Sequence, residues 1–133
     1  MNESAAGKNS KQKTGPATLV IRVVVVGSLG VLLVLALIDN RAKNAAQTSY
    51  NNLTDALNQA GDDDLHEADL ENYLLGKPTR TKTALEVSHR GISVVTLKWT
   101  GIFREYWIKV HLGLPADNPT INGDHVEYSW SAE

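Results

Sequence analysis

Residues Thr18–Ile38, TLVIRVVVVGSLGVLLVLALI, decide how the rest of the chain is arranged, because one charge, Arg22, is all that interrupts twenty-one residues. At ~1.5 Å per helical residue the run reaches about 31 Å, close to the roughly 30 Å hydrocarbon layer of a bilayer. A soluble core strand rarely exceeds ~8 residues, and a helix that is apolar on every face needs more protein around it than this chain supplies. A transmembrane helix over 18–38 is therefore expected. Arg22 sits near the start of the run, where its aliphatic stem can lie in lipid while the guanidinium reaches the headgroups. Gly27, Ser28 and Gly30 do not have GxxxG spacing, and small residues in a single span account for them.

Working outward towards the amino end, Met1–Ala17 is small, polar and basic with no apolar period, so it is expected to be a disordered tail. Lys8, Lys11 and Lys13 resemble the basic region of a signal peptide. The apolar run exceeds the ~7 to 15 residues of a secretory core, however, and the DNRAKNAAQ that follows offers no small-x-small cleavage site. An uncleaved signal anchor is expected. Lys8, Lys11, Lys13 and Arg22 outnumber Arg41 and Lys43 across the span, which places the tail in the cytoplasm and the carboxyl-terminal part outside it, at the plasma (inner) membrane.

Towards the carboxyl end about 90 residues remain, enough for one small domain. From Asn44 to Glu133 there are seven Lys/Arg against thirteen Asp/Glu, a balance that argues against a nucleic-acid partner. Zero cysteines remove disulfides, thiolate metal sites, thiol nucleophiles and a lipid-modified cysteine anchor together. Ala46, Tyr50, Leu53, Leu57 and Ala60 recur at helical spacing, predicting a juxtamembrane amphipathic helix over 39–61 that Gly61 ends. With no Gly or Pro from Leu32 to Ala60, this helix either continues the span or breaks near Asp39–Arg41; its stripe packs on the domain's own sheet or forms a dimer seam.

A small α+β domain is predicted over 62–133, so that two helices, the juxtamembrane one and a second one within the domain, pack on a three- to four-stranded antiparallel meander. Asp64 as N-cap and Glu67 as its capping-box partner predict a second helix, with Leu70, Tyr73 and Leu74 buried and Gly76 and Pro78 as stops. Asp62, Asp64 and His66 fail as a calcium loop, since Glu67 and Tyr73 stand where a glycine and a glutamate are required. His66 with Asp69 is too small a set for a metal centre. From Thr81 the period becomes two. Thr83–Val87 and Ile92–Trp99 read as a hairpin broken at His89-Arg90-Gly91, and Phe103–Leu112 as a third strand with Tyr106, Ile108, Val110 and Leu112 on one face. Arg104, Glu105, Lys109 and His111 are expected to face solvent. LGLPADNPTINGDH reads as turn throughout, with Asn122-Gly123 a turn pair, before a last strand carrying Val126, Tyr128 and Trp130.

The helix ending in LLGKPT, followed by strands bearing LKWTGIFREYWIKVHL, resembles the small α+β domain of the SmpA/BamE outer-membrane assembly lipoproteins and of the related β-lactamase-inhibitor proteins, over Leu65–Leu112. Leu70, Leu74, Gly76, Pro78, Trp99 and Gly101 hold the matching places. The lipid-modified cysteine of that family is missing here. The resemblance implies a non-enzymatic domain that binds other proteins and carries no cofactor.

No GxSxG, HExxH, P-loop or GxGxxG accompanies His66, His89, His111 or His125, so no catalytic, cofactor-binding or metal residues are assigned. His111 and His125 would have to meet across strands to form a metal pair. The aromatic set Trp99, Tyr106, Trp107, Tyr128 and Trp130 is mostly expected in the core. Trp107, Trp130 and Arg104 are the candidate partner contacts, with Trp107 singled out because it is out of phase with Tyr106 and Ile108. The expected function is a non-catalytic, membrane-anchored binding or scaffolding module of the cell envelope. Its expected partners are the lipid bilayer, other envelope proteins or a second copy; the alternatives are a small-ligand or carbohydrate sensor using the strand Trp/Tyr residues, or a hydrolase with two ionisable groups in a shared pocket.

Overall fold

A computed structural model of the chain describes residues 15–61, 63–88 and 91–132. The expectations for the tail before Gly15 and for the His89-Arg90 break lie outside the described residues. In order, the elements are helix α1 (Pro16–Ala60), a short 3₁₀ helix (Glu67–Tyr73), and strands β1 (Thr79–Ser88), β2 (Gly91–Thr100), β3 (Arg104–Gly113) and β4 (Thr120–Ala132). The chain forms two compact units, Met1–Leu33 and Val34–Glu133.

In the first unit every described residue is exposed. Its helix is long and apolar enough to cross a membrane, with an 18-residue window of mean hydropathy 2.7 and none of that window buried. Side chains such as Val26 and Leu33 stand 69% and 65% exposed.

In the second unit α1 is helical through to Ala60, with no break at Asp39–Arg41. The absence of Gly and Pro from Val31 to Ala60 allows this. Gly61, at φ 59°, ends the helix in the left-handed region. Ala46 and Leu53 are fully buried, flanked by the partly buried Ala42, Ala45, Tyr50 and Leu57. This stripe packs on the sheet of the same chain.

The sheet is an antiparallel meander in the order β1-β2-β3-β4. Cross-strand pairs Val95 with Val110, Leu97 with Ile108 and Trp99 with Tyr106 put one face of β2 and β3 against the helix. β4 adds Tyr128 opposite Ile108 and Val126 opposite Val110 to the same face. A hydrogen-bonded chain ties three elements together: Trp99 Nε1 donates to the Leu75 carbonyl at 2.8 Å, the Leu75 N–H to Ser49 Oγ at 2.8 Å, and Ser49 Oγ to the Ala45 carbonyl at 2.7 Å. It leaves Ser49 buried but satisfied.

Three local expectations are corrected. The predicted second helix is a seven-residue 3₁₀ segment capped by His66 rather than Asp64. Leu65 and His66 are recruited as strand partners instead: the Ile121 N–H donates to the Leu65 carbonyl at 2.7 Å, the Glu67 N–H to the Pro119 carbonyl at 2.9 Å, and His66 bridges to Thr120. His66 and Leu74 are both extended, so too few residues remain between them to propagate an α-helix. Asn122-Gly123 is not a turn but part of β4. The β3–β4 connection is Leu114–Pro119, and the register slips between the Val110–Val126 and Leu112–Ile121 pairs, so that residues 122–125 bulge opposite His111. That bulge brings His125 over His111, which is 8% exposed rather than on offer to solvent.

Candidate functional site

The end of the sheet nearest Asp39 holds the most chemically distinctive surface. Asp39 follows the apolar run directly, and its carboxylate reaches the β2–β3 turn. Oδ1 accepts from the Phe103 N–H at 3.3 Å and the Arg104 N–H at 3.2 Å, and Oδ2 accepts from the Tyr106 hydroxyl at 3.1 Å. The turn closes on itself through the Gly101 N–H, which donates to the Arg104 carbonyl at 2.8 Å. Gly101 is there because nothing larger fits: a Cβ would collide with the Asp39 carboxylate and come within 2.8 Å of the Arg104 carbonyl. Burial raises the Tyr106 pKa, and the hydrogen bond to Asp39 raises it further, so the phenol stays protonated and remains a donor.

Beside this latch, Lys43, Gln47, Arg104, Tyr106, Tyr128 and Trp130 line a groove of about 260 Å³ between α1 and the β4 edge. Asp39, Lys43 and Gln47 follow one another at four-residue spacing, so one helical face supplies them, with ~6 Å between successive positions along the axis. Tyr106 and Trp130 are cross-strand partners on β3 and β4. The Arg104 guanidinium carbon lies 4.7 Å from the Trp130 ring centroid, a cation–π contact. Tyr128 packs on Tyr50 with ring centroids 5.7 Å apart, and burial raises its pKa. Two cations and three aromatic rings line the groove, and the Asp39 carboxylate stands next to it, hydrogen-bonded to the Tyr106 hydroxyl.

Of the candidate contacts, Arg104 and Trp130 come together here and Trp107 does not. Trp107 is half-buried and pairs with Lys98 and Ser129, on the face of the sheet turned away from the helix. Asp39, Phe103, Lys43 and Gln47 escaped sequence reasoning. Only Asp39 carried a signal, as the first acid after the apolar run.

The other candidates are dispersed. His111 and His125 meet with ring centroids 5.6 Å apart at 58°. Among the described residues, no group of three or more His, Cys, Asp or Glu is placed to hold a metal ion. Asp69 serves as a cap, its Oδ2 accepting from the His66 N–H at 3.2 Å. Glu67 pairs with Arg80 and with Lys82, the latter at 2.6 Å, linking the 3₁₀ helix to β1. Comparison with protein-family models, with curated proteins and with solved structures finds no match to this chain.

Proposed function

We propose that the chain is a single-pass, membrane-anchored binding or scaffolding module of the cell envelope, non-catalytic, with its tail in the cytoplasm and its α+β domain outside. The orientation is supported by the basic excess before the span. One observation carries the binding role. Every residue of the core cluster that comes from the sheet lies on the helix-facing side, while the opposite side presents Thr81, Thr83, Thr96, Lys98 and Lys109 around a half-buried Trp107. One wet face is usual for an antiparallel sheet; a Trp at its centre is a side chain of the kind that anchors protein interfaces. The resemblance to the SmpA/BamE-like domain points the same way as a proposal. Its residues serve the fold here: Leu70 is buried, and Gly76, at φ 74°, takes the left-handed backbone conformation that favours glycine.

A small-ligand sensor is the second reading, favoured by the aromatic groove at Tyr106, Tyr128 and Trp130. A photo-crosslinking residue at exposed Ser129, the cross-strand neighbour of Trp107, separates the two. The binding role requires a discrete protein adduct in intact membranes that disappears with Trp107→Ala while circular dichroism is unchanged. Adducts indifferent to that substitution, or none with protein, reject it.

A further inference from the structure

The groove beside Asp39 lies at the level where the apolar run ends, and its chemistry matches what it would meet there. Resting on the membrane-span reading above, we propose that it takes the headgroup of an anionic phospholipid, with Phe103 and Trp130 entering the interfacial layer around it. The Asp39 hydrogen bonds fix the turn to the helix residue that follows Ile38, so the turn shares the depth of the hydrocarbon boundary. Lys43 stands one turn further, about 6 Å along the axis, within the headgroup layer of roughly 5–8 Å on each side of a bilayer.

Outside the apolar run, the large apolar side chains exposed among the described residues are Leu75, Phe103, Leu114 and Trp130. Phe103 and Trp130, 49% and 53% exposed, belong to this end of the sheet. Leu114 belongs to the other, where the β3–β4 connection joins a β4 whose Gly123 lies against Leu57, about 27 Å along the helix from Asp39. An aromatic ring at the interface, with a stem and charge reaching into headgroups, is the arrangement by which membrane proteins set their depth. Lys43 and Arg104 supply the charge complement of a phosphate, the nearby Asp39 carboxylate being taken up by the Phe103 and Arg104 N–H groups and the Tyr106 hydroxyl, and Gln47 and Tyr128 belong to the same lining. The domain is acidic as a whole, so this basic patch runs against its overall charge.

The test uses the full chain in vesicles of phosphatidylcholine and phosphatidylglycerol. Because there is no native cysteine, Leu33→Cys, Phe103→Cys and Leu114→Cys each carry a single environment-sensitive fluorophore. Quenching by spin-labelled lipid is expected at positions 33 and 103 and not at 114. Quenching at 33 with position 103 as unquenched as 114 overturns the proposal and leaves the span standing; no quenching at 33 removes both.

Energy transfer from the tryptophans to labelled phosphatidylglycerol, against labelled phosphatidylcholine, reads the headgroup. The wild type is expected to prefer the anionic lipid, and Lys43→Gln with Arg104→Gln to lose about fivefold of that preference per side chain. Lys43→Gln alone, on an exposed helix position, gives the same reading if the double variant does not retain its sheet signal. An unchanged preference, or transfer between differently labelled copies in place of lipid selectivity, overturns it.

Discussion

Asp39 does two jobs that conflict in a sequence reading. As the first acid after twenty-one nearly uncharged residues it marks the end of the apolar run, and that much is visible in one dimension. That it also accepts three hydrogen bonds from residues more than sixty positions away is not. Asp39→Ala leaves the Phe103 and Arg104 N–H groups and the Tyr106 hydroxyl to find other partners, and is expected to cost about 2 kcal/mol, roughly 10 °C in Tm for a unit of this size. Asp39→Asn, which keeps one carbonyl oxygen for the two N–H groups, should cost less. Thermal unfolding in detergent followed by circular dichroism checks both, and a wild-type Tm for the alanine variant would remove the latch. His111 teaches the same lesson in reverse. Its place in the strand alternation reads as exposed, and only the slipped register of β4 covers it.

At the level of elements, the helical stripe and the strand alternation were legible because each follows a single period set by the local backbone. The 3₁₀ helix was not. In the sequence the acid-rich Asp62–Asp64 is good capping chemistry, yet long-range pairing of Leu65 and His66 with β4 moved the helix start downstream to Glu67. What holds that segment to β1 is Glu67, 15% exposed, between Arg80 and Lys82. Burial alone would raise its pKa, but the hydrogen bonds and charges of the two basic side chains outweigh that and hold the carboxyl below its ordinary value. A depressed carboxylate contributes stability that is fully present above its unfolded value and lost as pH falls through the folded one. The α+β unit is therefore expected to lose stability on acidification below about pH 4.5. Glu67→Gln should flatten that part of the profile while costing about 0.5–1 kcal/mol at neutral pH. Urea unfolding across pH measures it; parallel profiles for wild type and variant would show that the pair contributes nothing.

For the whole molecule, the consequence is location. If the exposed apolar helix is the proposed anchor, alkaline carbonate should leave the full-length chain in the membrane pellet. An enzyme fused after Glu133 that is active only outside the cytosol should then report activity. A soluble product, or a reporter active only in the cytosol, contradicts the anchor or its orientation respectively. The sequence by itself determined the apolar helix, the amphipathic helix after it and the strand-rich remainder, since composition and periodicity act over a few neighbouring residues and need no knowledge of the rest of the chain. Tertiary structure alone decided which strands meet in which register, that the stripe at Ala46 and Leu53 is satisfied within the chain, and that Arg104 and Trp130 share a groove with Lys43 while Trp107 faces the other way. Those outcomes depend on pairings between residues tens of positions apart, where one bulge shifts every later side chain and no local pattern records it.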